Sequence, residues 1–168
     1  MQNNKPLRVL VDLDDTLLSW TTAHESKFHC CLKDLTSDEI TKQVEECKYD
    51  KVFWSNLPLL ERPDFLAAGA VTRRINPKSY TRDNLAKVGI TIKRIYQIPD
   101  QITSKAKYKR FGDVLIDDSW FNVQQCLADG MPALLITRPS NKHIDTKYRV
   151  DHLKYKEIEK KYNELFRV

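Results

Sequence analysis

The sequence predicts an α/β fold, a parallel sheet covered by helices on both faces. Short apolar runs rich in β-branched residues recur along the chain as continuous stretches, the pattern of strands buried on both sides. Helical stretches closed by glycine separate them, as in successive βαβ units. Two of the apolar runs, "VLVDLDD" and "VLIDD", end in clustered carboxylates. Ligand sites in open parallel sheets form just beyond the carboxyl ends of the strands.

Taken in order, "LRVLVD" (7–12) is the first strand. From about 21 to 50 the pattern is polar and helical, and "TSDEITKQVEE" offers Thr36 or Ser37 as an N-cap with acidic residues in the first turn. "VFWSNLPLLERPDFL", with two prolines, reads as a loop returning to the body of the fold. "AAGAVT" (67–72) is the next strand, weak on propensity alone. A helix over 79–89 closes at Gly89, a strand follows at 92–98, and "SKAKYKRF" forms a short helix. "DVLIDD" (113–118) is a strand, 121–130 a helix stopped by Gly130, and "PALLIT" (132–137) the last strand. The C-terminal "KYRVDHLKYKEIEKKYNELFRV" alternates charge signs in the manner of an exposed amphipathic helix.

With 168 residues, 41% of them hydrophobic and 30% charged, the chain suits one globular domain with a small insertion. No stretch resembles a leader or a membrane span. Cys30, Cys31, Cys47 and Cys126 lack CxxC spacing and read as free thiols in a reducing compartment, so a cytoplasmic location is expected. The net charge of +5 suits an anionic small-molecule substrate, and no stable association with nucleic acid or membrane is expected. A homodimer is among the assemblies the sequence allows.

The carboxylates demand an explanation, because like charges at that density repel and resist burial. If the strands at 7–12 and 113–118 are neighbours, Asp12, Asp14, Asp117 and Asp118 converge on one spot. A hard divalent cation such as Mg2+ would make that cluster tolerable. Asp15 is expected to lie exposed in the turn.

These residues resemble the motifs of the haloacid dehalogenase (HAD) superfamily of phosphohydrolases. An apolar strand followed by DxDxT is matched by Asp12, Asp14 and Thr16, and a strand ending in DD by Asp117 and Asp118. The family's Ser/Thr motif is matched by Thr72, with Thr81 and Leu85 as a second match, and its lysine by Lys105 or, with similar spacing, Lys107. Lys109 reads as solvated. The resemblance implies a Rossmann-like core over 1–18 and 63–168, with a small helical cap inserted at 19–62. It also implies a Mg2+-dependent phosphatase. Asp12 would be its nucleophile and Asp14 its general acid and base, while Asp12, Asp14, Asp117 and Asp118 would serve the metal. Thr72 and the lysine would bind the phosphoryl group.

Trp20 and the segment "YDKVFWSNLP", carrying Phe53 and Trp54, resemble the 5′(3′)-deoxyribonucleotidase branch and its phage-encoded relatives. That branch implies a nucleoside monophosphate stacked on cap aromatics, with Trp20 and Trp54 as the candidates. Phe53 is expected to pack the cap, and Trp20 and Trp54 are open to that role as well. The rivals are a phosphatase for another small ester or a nucleic-acid 3′-phosphate, and a non-catalytic binding module of the same fold.

Overall fold

In the computed structural model, which describes residues 5–98, 100 and 102–167, six parallel strands form one sheet in the order β3-β2-β1-β4-β5-β6. Parts of the N-terminal stretch and of the basic stretch near 100 lie outside the described residues. The strands are β1 (Val9–Val11), β2 (Gly69–Thr72), β3 (Ile95–Gln97), β4 (Val114–Asp117), β5 (Ala133–Ile136) and β6 (Arg149–Val150). Every residue of β1, β2, β4 and β5 is buried, as the unbroken apolar runs require. Along β1 the faces alternate. Val9 and Val11 join one core cluster, and Leu10 joins the other with Val71, Leu115 and Leu135.

The helices are α1 (Trp20–Phe28), α2 (Ser37–Glu46), α3 (Lys51–Trp54), α4 (Lys78–Lys87), α5 (Trp120–Ala128) and α6 (Tyr155–Phe166). Thr36 caps α2 in a reciprocal capping box, with Glu39 accepting from the Thr36 backbone N–H at 2.7 Å. The short helix after β3 is a 3-10 helix over Lys105–Phe111. It ends at Gly112, where an added Cβ would fall 2.4 Å from Leu10 Cγ, so only glycine admits this approach to β1.

Three expectations change. The strand at 133–136 is not the last, because β6 pairs beside it in parallel, with Ile136 opposite Val150. The two-residue β6 is too short to announce itself by pattern. The C-terminal helix is not merely a solvated face, since Ile158 is buried and Tyr162, Leu165 and Phe166 pack on the core. The stretch read as a loop from Val52 begins inside the one-turn helix α3.

All four cysteines are free thiols, and burial pushes those of Cys47 and Cys126 up to about 11. Among the described residues no helix is long and apolar enough to cross a membrane.

Candidate active site

The chain runs from β1 to β2 and β3 on one side of the sheet, then crosses back to β4 and continues outward on the other. The reversal opens a crevice beyond the carboxyl ends of β1 and β4. Val11 pairs with Ile116, and the Asp12 N–H donates to the Ile116 carbonyl at 2.8 Å, which carries both acidic termini to the same level. Carboxylate oxygens of Asp12, Asp117 and Asp118 lie within 4.8 Å of one another.

Lys105 sits among them. It opens the 3-10 helix with its side chain 1% exposed, donates to Asp117 Oδ2 at 2.7 Å and is hydrogen-bonded to Asp12 Oδ1. Burial alone would lower its pKa, but the Asp117 and Asp12 carboxylates outweigh burial and hold it above the ordinary lysine value. Burial raises the pKa of Asp12, with Asp117 and Asp14 adding to the rise and Lys105 opposing it. Asp118 is raised for the same reasons, burial first and then Asp117. Asp117 also accepts from Asn122 Nδ2 at 3.0 Å and from the Ser119 N–H at 3.0 Å, while Asp118 accepts from Thr16 Oγ1 at 3.3 Å. Three crowded carboxylates against one ammonium leave a negative excess, and an all-oxygen donor set of this kind fits a hard divalent cation.

Asp14 faces a different partner. Arg74 Nη2 donates to its Oδ1 at 2.6 Å, and Arg74 Nε reaches both of its oxygens at 2.9 and 3.1 Å. Thr72 is fully buried at the end of β2, beside β1, and its hydroxyl accepts from the Arg74 N–H at 3.3 Å. Thr81 and Leu85, the second match to that motif, are buried on α4, where Thr81 accepts from Arg74 Nη1. Thr81 therefore stands behind the arginine.

Of the two candidate lysines, Lys105 reaches the carboxylates. Lys107 is exposed on the 3-10 helix and forms no ion pair among the described residues. Asp15 is not an exposed turn residue. It adopts φ 55°, a region Asp tolerates, and its carboxylate accepts from the Thr21 N–H at 3.0 Å and the Thr21 hydroxyl at 2.5 Å, anchoring the start of α1.

A cavity of about 370 Å3 opens between Asp14 and the helical segment that follows β1. Trp20, Ile40, Val44, Trp54 and Arg73 line it. Trp20 is half-buried and leans on His24, ring centroids 4.7 Å apart. Trp54 is only 2% exposed, its Nε1 donates to the Cys47 carbonyl at 2.8 Å, and the Arg74 guanidinium lies 5.3 Å from the centre of its ring. Phe53 packs edge-on against Trp54 at 4.9 Å.

Arg74 and Asn122 lie outside the motifs that mark the site in the sequence. Arg74 was visible as the second arginine of "TRR" directly after Thr72. Asn122 was visible three residues after Ser119, the residue that caps α5.

The sequence matches no protein-family model and no curated protein. The structure does have likenesses. It superposes on an L-2-haloacid dehalogenase with a TM-score of 0.56 and 13% identity, over 89% of this chain and 96% of that one. It superposes on the HAD-hydrolase YfnB from Bacillus subtilis, bound to magnesium, with a TM-score of 0.54 and 16% identity, over 96% of this chain and 99% of that one. The fold is that of the HAD-like hydrolases. At these identities the likeness speaks for architecture, and the chemistry rests on the residues.

Proposed function

We propose that the protein is a HAD-type phosphomonoesterase that works through an aspartyl-phosphate on Asp12 and acts on nucleoside monophosphates. The carrying observation is the convergence of Asp12, Asp117, Asp118 and Lys105 at the switch point of the sheet. A carboxylate oxygen of Asp12 attacks phosphorus as the bond to the ester oxygen breaks. Asp14 gives its proton to the departing oxygen, then takes one from the water that attacks the phosphoenzyme, which releases inorganic phosphate and restores Asp12. Thr72 and Lys105 hold the phosphoryl oxygens, and Asn122 orients Asp117. Asp12, Asp117, Asp118 and the backbone carbonyl of Asp14 would hold Mg2+. When bound, the ion offsets the repulsion between anionic nucleophile and anionic phosphate.

Asp14 favours phosphate esters over halides as substrates, since a halide leaves without a proton. Residues 19–62 act as a small helical cap over the site, and its cavity receives the nucleoside. The exposed part of Trp20 provides the stacking face.

Hydrolysis of an aryl phosphate with and without a chelator, in the wild type and in Asp12→Asn, tests the reaction. Turnover that needs Mg2+ and vanishes in Asp12→Asn is expected. Turnover indifferent to thorough chelation, or activity on 2-haloacids with none on phosphates, would falsify it. Stacking is worth roughly 1–3 kcal/mol, so Trp20→Ala should lower kcat/KM for a nucleoside monophosphate by about tenfold to a hundredfold while sparing a small aryl phosphate. Equal losses on both substrates would remove the nucleotide from the reading.

A further inference from the structure

Resting on the reading of Asp14 as acid and base, we infer that Arg74 is a positioning residue for Asp14, and that Trp54 acts through Arg74 rather than on the substrate. Asp14 lies two residues beyond the first carboxylate of the site and is free of Lys105, whose ammonium is shared by Asp12 and Asp117. Its side chain is 25% exposed and forms part of the cavity wall, so nothing in β1 itself fixes the plane of its carboxylate. Arg74 supplies that constraint. Its fork meets both carboxylate oxygens, a geometry that sets orientation as well as distance and that a lysine cannot reproduce.

The arginine is itself held on three sides. Its side chain has no exposed surface, Nη1 donates to Thr81 Oγ1 at 3.3 Å, and its face rests on the ring of Trp54. Trp54 in turn is tied to the carbonyl of Cys47, the residue that ends α2. A continuous line of contacts therefore runs from the helical segment to Asp14. A buried ion pair is a poor means of stabilising a fold compared with apolar packing, so this arrangement is better explained by the placement of a carboxylate that must meet a leaving oxygen. The same geometry removes Trp54 as a stacking platform. With 2% of its surface exposed and one face beside a guanidinium, it presents little ring surface to the cavity it borders.

An acid matters most when the leaving group is basic, and a displacement of about 1 Å at a reacting group can cost on the order of a hundredfold. The test compares an alkyl phosphate, phenyl phosphate and dinitrophenyl phosphate in the wild type, Arg74→Lys, Arg74→Met, Trp54→Phe, Asp14→Asn and the Arg74→Met/Asp14→Asn double variant. Circular dichroism and thermal melts identify the variants that remain folded. In folded Arg74→Met and Trp54→Phe, kcat on the alkyl and phenyl esters should fall about tenfold to a hundredfold, with a much smaller loss on the dinitrophenyl ester and little change in KM. Arg74→Lys should recover part of the loss. On phenyl phosphate the double variant should be no worse than Asp14→Asn alone, because both changes remove one function. A loss in folded Arg74→Met that is the same for every leaving group, or that adds to that of Asp14→Asn, overturns the inference and leaves the phosphatase reading intact. No loss in Arg74→Met overturns it equally. Absence of wild-type turnover on all three esters overturns the phosphatase reading and the inference with it.

Discussion

Replacing Lys105 by methionine would remove an ammonium while keeping most of its apolar stem. The side chain is 1% exposed and bonded to two carboxylates, one of which, Asp117, has no exposed side-chain surface. Removing one partner of a buried ion pair costs about 3–5 kcal/mol, because the remaining charge stays behind without compensation. Asp12, its pKa already raised by burial, relieves its share by binding a proton, so the expectation stays within that range. For a chain of this length, a loss of that size lowers the melting temperature by about 6–20 °C.

The pH dependence gives the sharper test. Burial already holds the Asp12 pKa above the carboxylate range, against the pull of Lys105, and without the ammonium it must rise further. A carboxylate whose folded pKa lies above its unfolded value binds its proton more tightly when folded. Folding is then penalised in full above the folded pKa, and the penalty fades as pH falls toward the unfolded value. Denaturant unfolding of wild type and Lys105→Met, without added metal, should therefore show a deficit that is large near about pH 8 and shrinks toward about pH 5. A loss below about 1 kcal/mol, or one constant across that range, would refute the buried pairing.

Two further outcomes follow from the same structure. Mg2+ should raise the melting temperature of the wild type, by an amount corresponding to about 2.7 kcal/mol at a hundred times its dissociation constant, and Asp117→Asn should abolish the rise. An unchanged melting curve at high Mg2+ would argue against the carboxylate trio as a metal site. His24 is fully buried between the rings of Trp20 and Phe28, its ring nitrogens have no hydrogen-bond partner among the described residues, and burial lowers its pKa. The unfolded chain therefore binds this proton first, so stability present above the ordinary value of 6.5 is lost as pH falls below it. His24→Phe should flatten the stability curve between about pH 7 and 5, and an unchanged slope would show that His24 does not contribute.

The sheet was legible because its strands are buried on both faces, which writes them as unbroken apolar runs. The carboxylates were legible because few other residues need to end such a run. Beyond that, local pattern lost its hold. Lys105 and Lys107 have nearly the same spacing to Asp117, and only the course of the 3-10 helix, which turns one inward and the other to solvent, separates them. Asp15 gave no sign of its role, since its partner Thr21 is met only when the backbone takes a left-handed turn. Trp20 and Trp54 look equivalent as letters. What distinguishes them is a long-range contact with Arg74, and neither periodicity nor propensity reports on side chains brought together from separate elements.

The placement of charge across the site follows from strand order, and it bears on how a substrate would lie. The acids come from the ends of the central pair, β1 and β4, whereas Thr72 ends β2, Arg73 and Arg74 follow it, and Lys105 follows β3. Since β2 and β3 lie on the far side of β1 from β4, the crevice carries a gradient. The Thr72 hydroxyl and the Arg74 guanidinium lie toward one flank, Asp117 and Asp118 toward the other, and the Lys105 ammonium crosses between them to Asp12 and Asp117. A phosphate dianion would be drawn to the donor flank and a divalent cation to the carboxylate flank. On the proposed phosphatase reading, the phosphorus would then lie over Asp12. On that reading the ester oxygen would face Asp14 and the cavity bounded by Trp20. An exchange of the charged residues between the two flanks would keep the net charge of the site and abolish the gradient. The sequence-specific feature is therefore the assignment of acids to β1 and β4 and of donors to β2 and β3, more than the number of either.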